Sequence, residues 1–454
     1  MRNPNHNKGF NRRERRGRRE MRNIMFSFLS ILVMVFLACE EDSTVSPTPT
    51  PTSTPVTLSA DNQSIINMVA AISSDSLRSY VERLSGFQTR HSNSDTVSAE
   101  IGKGAARNWI FRKFQNVSAA SGGRLEVAFD DFVENICEIT GFHRNVVARL
   151  PGTGTPELQI LVSGHYDSRT FGRCDETGFA PGANDDGSGT AAVIELARVL
   201  SQYEFESTLV FVAFTAEEQG LFGSRHYASH ARQRGDKIIA MVTNDVIGNI
   251  LGGSGNTDAT RVRCFSDNPT QSPHRQLARY IKLQGEAYVS NFLVDMIPAR
   301  DRPNRGGDHF AFNEQGYTAA RLTEPEDNLD HQHDGNDLIE FMSFDYLRKV
   351  VQVNGAYLAS LAGAPPTPTG LAVENPQTGQ YNLRWNASSD FGSDISYLIA
   401  MRSTNSTTYD SLLDVGANTE VDLSNISSSA YISVAAKDGE QDESLFSNEI
   451  LIGQ

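Results

Sequence analysis

The sequence of 454 residues is 39% hydrophobic and 21% charged, a balance that supports a full apolar core and, at this length, two domains. Such a composition excludes an intrinsically disordered chain. The formal net charge of -15 argues against a nucleic-acid partner, because a protein of that class needs a basic surface to displace counterions from phosphates.

Residues 1–39 predict an export signal. A basic cluster at 12–19 precedes an apolar run at 24–38, which is too short to span a membrane comfortably. Met21 stands just before the same run and offers a cleaner start for the signal. The run ends in Ala38-Cys39, which resembles a bacterial lipoprotein signal with Cys39 as the lipidated first residue. We therefore expect an exported bacterial protein, either attached to the cell-envelope membrane through Cys39 or secreted after ordinary cleavage.

Residues 40–57 are rich in proline and threonine and predict an extended tether, because prolines favour polyproline II and oppose helix. The cysteines beyond it are Cys137, Cys174 and Cys264, an odd number for an exported chain. A bridge between Cys174 and Cys264 is conceivable in an oxidising compartment, and inert free thiols are the alternative.

Residues 58–362 have the pattern of an α/β domain. The first part, from 58 to 141, has a helical pattern that is clearest at 65–84 and 99–114. Strand-like and helical runs then alternate, which predicts a largely parallel sheet covered by helices on both faces. The predicted strands begin at 146, 158, 209, 238, 261 and 318, and the predicted helices are 191–202, 221–234, 274–286 and 346–361.

Residues 363–370 predict a proline-rich linker to a second domain. Over residues 371–454 the apolar residues alternate, and short alternating runs predict a small all-β sandwich. The proline-rich edge, Trp385 in an early strand and Tyr397 in the next resemble a fibronectin type III module. A spacer and an adhesion module that contacts a surface or carbohydrate are both compatible with this domain.

Polar side chains stand where three predicted strands end: His165 and Asp167 after one, Glu217 and Glu218 after the next, and Asp245 after a third. In an open α/β sheet the carboxyl ends of the strands border one crevice, so these groups are expected to converge. Imidazole and carboxylate are ligands that zinc prefers, and the set predicts a metal site. Asp167 is expected to accept the second ring N–H of His165 and so fix the imidazole tautomer.

The turn at 184–189 adds a further source of carboxylates. A two-metal site needs one carboxylate that can bridge both ions, and the short side chain of Asp185 on a glycine-flanked turn suits that position. Asp186 is expected to cap the helix that starts near Gly187 instead of binding metal.

Five motifs, in order, resemble those of the co-catalytic di-zinc aminopeptidases, a family that includes bacterial leucyl aminopeptidases. They are Gly164-His165-Tyr166-Asp167-Ser168, Ala183-Asn184-Asp185-Asp186-Gly187-Ser188-Gly189, Ala216-Glu217-Glu218-Gln219-Gly220-Leu221-Phe222-Gly223-Ser224, Asn244-Asp245 and Gly307-Asp308-His309-Phe310. The resemblance covers residues 60–362. It implies an α/β zinc exopeptidase fold with a mixed central sheet, two zinc ions per chain, and a peptide substrate with a free N-terminus.

The resemblance also implies which residues hold the zinc ions. It makes Asp185 the bridging carboxylate, and the remaining ligands are His165, Glu218, Asp245 and His333. His333 is chosen because it stands directly before an aspartate, as in the family segment. His331 is the runner-up for this last ligand.

The same resemblance implies the catalytic residues. One glutamate of the Glu217-Glu218 pair must bind metal and the other must stay free, and the family makes Glu217 the general base. Glu217 would take a proton from the attacking water and return it to the leaving amine. Asp167 would assist by orienting His165, and Asp308 and His309 suit a supporting or substrate-orienting position.

Three other functions stay open. Glutaminyl cyclases, which are single-zinc acyltransferases, share the His165-to-Ser168 motif and a segment like 223–226. A carboxypeptidase-like member of the family would need basic residues for the substrate carboxylate, and Arg300, Arg302 and Arg305 are candidates. A binding protein with an inactive first domain is the non-enzymatic alternative.

The lipoprotein interpretation predicts that Cys39 carries a fatty acid, because the lipid is attached at that thiol. Cells that express the chain and are fed a fatty-acid analogue should label the wild type, whereas Cys39→Ser should take up no label. An unlabelled wild type would leave secretion after ordinary cleavage as the outcome.

Overall fold

A mixed sheet of eight strands forms the centre of the chain. The computed structural model describes residues 58, 60–303, 305–377, 379–388, 394–424 and 426–453. The predicted export signal, Cys39 and the tether at 40–57 lie outside the described residues. Within the described ranges, no helix combines the length and the apolar character that crossing a bilayer requires.

The helices of the described chain are α1 (Gln63–Ala70), α2 (Ser74–Ser85), α3 (Gly102–Ala120), α4 (Gly187–Leu200), α5 (Phe222–Arg234), α6 (Pro273–Tyr288), α7 (His309–Glu314) and α8 (Phe344–Gly363). Side-chain caps begin several of them. Asn62 accepts hydrogen bonds at the start of α1, Ser73 at the start of α2 and Ser343 at the start of α8. These helices therefore begin directly after a polar residue whose side chain caps the first turn.

The central sheet contains β1 (Glu126–Ile136), β2 (Ile139–Leu150), β3 (Thr155–His165), β4 (Ser207–Phe214), β5 (Lys237–Asn244), β6 (Arg261–Phe265), β7 (Leu293–Ile297) and β8 (Ala319–Thr323). Their order is β1-β2-β4-β3-β5-β8-β6-β7. The strands β4, β3, β5 and β8 run parallel, and so do β6 and β7, whereas β1, β2 and the β6–β8 pair introduce antiparallel contacts. The predicted mixed, largely parallel sheet is confirmed.

Both faces of the sheet are covered, as continuous apolar runs such as 209–214 require. Within β4, Leu209 and Phe211 pack into the larger core with α1, α2, α3, α4, α6 and α8. The alternate residues Val210 and Val212 pack into a smaller core with α5 and α7. The candidate metal ligands at the strand ends therefore lie at the edge of a sheet that helices cover on both faces.

The helical pattern expected up to residue 141 is wrong over β1 and the start of β2. These strands form an antiparallel hairpin, paired from Glu126 with Arg149 to Ile136 with Ile139. Its turn consists of Cys137 and Glu138, both in the left-handed region with φ of 52° and 65°. Two-residue turns of that kind normally use Asn-Gly or Asp-Gly, so the sequence lacks the usual hairpin signal.

The C-terminal region forms the predicted sandwich of two antiparallel sheets. The strands are β9 (Thr369–Gln377), β10 (Gln380–Asn386), β11 (Ser396–Ser403), β12 (Ser411–Asp414), β13 (Glu420–Ser424), β14 (Ala430–Lys437) and β15 (Ile450–Ile452). One sheet has the order β13-β10-β9 and the other β12-β11-β14-β15. Leu383 and Trp385 from the first sheet share an apolar core with Ile399 and Val434 from the second.

The sandwich packs against α6 through buried polar contacts. Nη1 of Arg279 lies 3.3 Å from Oε1 of Glu449, and both side chains are about 1% exposed. Gln284 donates a hydrogen bond of 2.9 Å from Nε2 to Oε2 of Glu443. Buried ion pairs and hydrogen bonds lose their partners if the surfaces separate, so the sandwich is fixed to the α/β domain.

The disulfide joins Cys174 to Cys137, across 37 residues and with 5.6 Å between the Cα atoms. The conceivable bridge from Cys174 to Cys264 is therefore wrong. Cys264 is buried within β6 and pairs with no other described cysteine. The hairpin turn at Cys137, absent from the sequence prediction, is what brings a partner to Cys174.

Removing this bridge should destabilise the chain, because it closes a loop of 37 residues in the unfolded state. We expect Cys137→Ser combined with Cys174→Ser to lower the free energy of unfolding by about 3 to 4 kcal/mol. Denaturant unfolding with and without a thiol reductant measures the effect. The reductant should weaken the wild type and leave the double variant unchanged; equal midpoints for the two proteins would contradict the assigned bridge.

Candidate metal centre

The polar residues at the strand ends meet at the carboxyl edge of β4, β3 and β5, which are neighbours in the sheet. His165 is the last residue of β3, Asp245 directly follows β5, and Glu217 and Glu218 lie in the turn after β4. Because β3 is parallel to both neighbours, the three strands deliver these side chains to one edge. Asp185 reaches the same place from the loop before α4.

The first group of potential ligands is His165, Asp185 and Asp245. Nε2 of His165 lies 3.3 Å from Oδ1 of Asp185 and 3.7 Å from Oδ1 of Asp245. One donor atom from each residue lies within 4.8 Å of the others, and all three side chains are buried. One imidazole and two carboxylates form a donor set that zinc accepts.

The second group is Asp185, Glu218 and His333. Nε2 of His333 lies 3.0 Å from Oδ2 of Asp185 and 3.3 Å from Oε2 of Glu218. The two oxygens of Asp185 therefore face different histidines. Oε1 of Glu218 is buried and accepts no hydrogen bond from the described residues. A buried carboxylate oxygen without a partner is costly unless a cation meets it, so this group also fits zinc.

Only one of the two histidines in the late loop reaches the carboxylates. His331 stacks on Phe341 with 3.9 Å between ring centroids, and its Nδ1 lies 3.2 Å from the carbonyl oxygen of Asn336. His333 instead lies against Asp185. The geometry thus favours His333 over His331 as the last ligand.

Asp186 has the capping position that the sequence predicts. Its Oδ1 accepts a hydrogen bond of 2.9 Å from the amide of Gly189 in the first turn of α4. Its Oδ2 accepts one of 2.9 Å from the amide of His165, and Oδ1 accepts another of 3.3 Å from the amide of Val246. Asp186 therefore ties the start of α4 to the ends of β3 and β5.

Asp337 fixes the bridging candidate and was missed in the sequence. Its carboxylate accepts hydrogen bonds of 2.8 Å from the amides of both Asn184 and Asp185. Asn184 is held in turn by Glu324, through a bond of 2.8 Å from Nδ2 to Oε2. Burial raises the pKa of Asp337 to about 7. Asp337 lies 152 residues after Asp185 in the chain, so no local sequence pattern indicates the contact.

The expected bond from His165 to the Asp167 carboxylate differs in detail. Nδ1 of His165 lies 3.1 Å from the backbone oxygen of Asp167, whereas the carboxylate oxygen Oδ1 is 3.7 Å away. The carboxylate instead accepts hydrogen bonds of 3.2 Å from the amides of Glu217 and Glu218. The carboxylate oxygens of Asp167 thus bond two backbone amides, where the prediction placed the ring N–H of His165. Through these bonds Asp167 positions the glutamate pair.

The two glutamates have different surroundings, as the base assignment requires. Glu218 faces His333 and also pairs with Arg169, whereas the carboxylate of Glu217 forms no hydrogen bond or ion pair with the described residues. Burial raises the pKa of Glu217 well above its usual value, and the nearby carboxylates of Asp245 and Glu218 add to the shift. Glu217 is thus the free carboxylate of the cleft.

Asp308 and His309 are buried beside the site without lining the cleft that holds the ligand groups. Nε2 of His309 lies 2.8 Å from the backbone oxygen of Arg300, and burial lowers the pKa of His309 to about 4. Burial raises the pKa of Asp308 to about 7. His309 thus supports the backbone at Arg300, and neither residue lines the cleft.

Two arginines at the site were also missed. Arg169 donates from Nε to Oε2 of Glu218 at 2.7 Å, and its Nη2 lies 2.6 Å from Nδ1 of His333. Arg321, in the middle of β8, pairs with Oδ2 of Asp245 at 3.1 Å. A charged residue inside a fully buried strand was a usable signal for Arg321, because such a charge requires a partner.

Comparison with known proteins identifies the family. The family model of Peptidase family M28 matches residues 145–358. A protein of Leptosphaeria maculans described as a "probable zinc metalloprotease" is 35% identical over 395 residues, 80% of this chain and 91% of the relative. The chain belongs to peptidase family M28. A Pyricularia oryzae protein of the same description is 35% identical over 376 residues, 75% of each chain.

Solved structures share the fold of this M28 chain. The LapA aminopeptidase of Legionella pneumophila matches with a TM-score of 0.54 and 21% identity, over 69% of this chain and 78% of LapA. Glutaminyl cyclase of Porphyromonas gingivalis matches with a TM-score of 0.51 and 18% identity, over 63% of this chain and 98% of the cyclase. These two relatives are fungal, and the likeness to the bacterial LapA aminopeptidase shows the fold alone.

The shared position of Asp185 predicts how zinc binding responds to substitution. If each group holds one zinc, as the sequence resemblance implies, His333→Ala would remove a ligand from the second group only and leave about one zinc per chain, whereas Asp185→Ala would weaken both groups and leave less. Metal content after zinc loading and desalting measures this. His331→Ala is the matched control, an imidazole of the same loop outside both groups, and should keep the wild-type content. Loss of zinc from His331→Ala, with none from His333→Ala, would reverse the ligand choice.

Proposed function

We propose that this chain is a zinc-dependent aminopeptidase that hydrolyses the N-terminal peptide bond of peptides. The observation that carries the proposal is the carboxylate of Asp185 shared between two ligand groups, with the free carboxylate of Glu217 in the same cleft. Two adjacent donor groups that share one residue are what a two-metal hydrolase needs. Membership of a peptidase family supports a peptide substrate.

The residues that would hold zinc are divided between the two groups. His165 and Asp245 would hold one ion, Glu218 and His333 the other, and Asp185 would contact both. Zinc bound there supplies Lewis acidity, which polarises a carbonyl and lowers the pKa of a bound water.

Glu217 is the residue proposed to move protons. Its carboxylate has no hydrogen-bond or ion-pair partner among the described residues, and Asp167 fixes its backbone amide together with that of Glu218. A free carboxylate in the cleft can accept the proton of the attacking water and donate it to the departing amine nitrogen.

The free α-amino group of the substrate is proposed to bind among the acidic residues of the cleft. Asp245 and Glu217 line it beside His165. A positive ammonium group placed there meets two carboxylates, which favours a substrate with an unblocked N-terminus.

A glutaminyl cyclase-like acyltransferase is the alternative function on the same fold. The segment after the glutamate pair does not extend that likeness to the site, since His226 pairs with Asp130 at 3.4 Å and stacks on Phe132. The second ligand group, with His333 and Glu218 around Asp185, favours two ions over the single zinc of a cyclase.

We also propose export, with Cys39 as the lipid attachment site or with secretion as the alternative, and a fibronectin type III-like identity for the sandwich. The basic cluster and apolar run before Cys39 support export. The division of the sandwich into sheets of three and four strands supports the module identity.

Glu217→Gln should lower kcat by about 100-fold to 10,000-fold, because an amide cannot accept the proton of the attacking water. Zinc content should not change, since Glu217 belongs to neither ligand group. Hydrolysis of leucine amide, with metal content measured on the same samples, tests both statements.

The control for this variant is Glu314→Gln, which removes an exposed glutamate outside the cleft and should retain full activity. Near wild-type turnover by Glu217→Gln with both zinc ions present would show that another group is the base. The wild type should not hydrolyse N-acetyl leucine amide. Hydrolysis of this blocked substrate as fast as that of leucine amide would contradict an aminopeptidase.

A further inference from the structure

The cleft at the metal centre is lined by more arginines than its carboxylates require. It has a volume of about 270 Å³, at the small end for ligand sites. The lining includes the carboxylates of Asp185, Glu217, Glu218 and Asp245 together with Arg169, Arg173, Arg302, Arg305 and Arg321. Two of these arginines already have acidic partners among the ligand groups, because Arg169 pairs with Glu218 and Arg321 with Asp245.

Arg302 is buried with one donor unused. It is 9% exposed, and it bonds Oδ1 of Asp301 from Nε at 3.0 Å and Oδ1 of Asp327 from Nη1 at 2.7 Å. Its Nη2 is buried and has no hydrogen-bond partner among the described residues. Both aspartates also serve another arginine, Arg321 at Asp301 and Arg263 at Asp327. With Asp245 as the second partner of Arg321, three arginines share three aspartates here, so Arg302 contributes an unused donor at Nη2 and not an unbalanced charge.

Arg305 and Arg173 carry charge that no described acidic residue meets within ion-pair distance. Arg305 donates from Nη2 to the neutral Oε1 of Gln332 at 2.7 Å. Arg173 donates from Nε to the backbone oxygen of Glu218 at 3.1 Å. Gln332 adjoins His333 in sequence, so both guanidinium groups are anchored at the Glu218–His333 end of the cleft.

The disulfide holds Arg173 in place. Cys174, the next residue, is bonded to Cys137, and the backbone oxygen of Arg173 lies 3.0 Å from Nε2 of His91. Arg173 is itself exposed, yet its backbone is fixed on both sides. A cation held on a fixed backbone loses less freedom when it binds an anion.

We propose that Arg173, Arg302 and Arg305, here called the arginine rim, bind a carboxylate of the substrate close to the scissile bond. Guanidinium groups match carboxylates through paired, charge-assisted hydrogen bonds, and Nη2 of Arg302 offers a buried donor for one. The inference rests on the proposed aminopeptidase function and assigns its substrate class: peptides with a carboxylate on the second residue.

That carboxylate has two sources, which substrate pairs distinguish. Leu-Ala compared with Leu-Ala-amide reports on a C-terminal carboxylate, as in a dipeptide. Leu-Glu-amide compared with Leu-Gln-amide reports on an acidic side chain. The wild type should prefer the carboxylate member of at least one pair by about tenfold or more in kcat/KM, since the neutral member leaves the guanidinium donors unmatched.

Arg305→Gln and Arg173→Gln should reduce this preference by about tenfold, because each removes one cation from the rim. The matched control is Arg300→Gln on the same loop. Arg300 lies over the ring of Phe310 at 3.7 Å and does not line the cleft, so its removal should leave the preference unchanged. Arg300 was a sequence candidate for carboxylate binding, and its position contradicts that role.

Affinity is measured separately on zinc-loaded Glu217→Gln protein by calorimetry with the same four peptides. The carboxylate member should bind about tenfold more tightly, and adding Arg305→Gln should remove the difference. Equal binding within both pairs would overturn the arginine rim even if the wild type hydrolyses all four peptides. Preferential binding without any hydrolysis would support the rim while contradicting the proposed aminopeptidase function.

Discussion

The position of the Asp185 carboxylate is the constraint on which the site depends. Its oxygens lie 3.3 Å from His165 and 3.0 Å from His333, on two different sides. A change of its rotamer would disturb both ligand groups together. The chain fixes its backbone through Asp337, which bonds the amides of Asn184 and Asp185. Because the backbone at Asp185 is buried and held by these two hydrogen bonds, its short side chain has few alternative positions. Supporting contacts of this kind fix the geometry of a metal site.

Adjacent residues of the same type perform different tasks because their backbone partners differ. Asp186 accepts three amides and belongs to the frame of α4, while its neighbour Asp185 faces the histidines. Glu218 pairs with Arg169, while the carboxylate of Glu217 has no hydrogen-bond or ion-pair partner among the described residues. Asp167 lies behind the second pair and bonds both of its amides. Asp186 and Asp167 therefore support the backbone. The carboxylates of Asp185, Glu218 and Glu217 stay available for metal binding and proton transfer.

The sequence predicted those parts whose signal is local. The runs that begin at 209 and 238 are continuous and apolar, so their parallel pairing and the polar residues at their ends could be inferred. The β1–β2 hairpin could not, because Cys137 and Glu138 take left-handed turn positions that other residues usually occupy. The partners of Cys174 and Asp185 were missed for a related reason. Those contacts join distant segments, and only the assembled fold brings them together.

The charges of the cleft link this frame to the choice of substrate. The whole chain has a formal charge of -15, yet Arg173 and Arg305, which meet no acidic side chain among the described residues, lie at the Glu218–His333 end. Zinc ions bound at the two groups would engage the carboxylates there and leave those cations still less balanced. On the proposed function, the ammonium end of a substrate meets Asp245 and Glu217 while a carboxylate meets the arginines. A peptide with both charges a short distance apart would satisfy both ends of the cleft, and a long neutral peptide would satisfy only one.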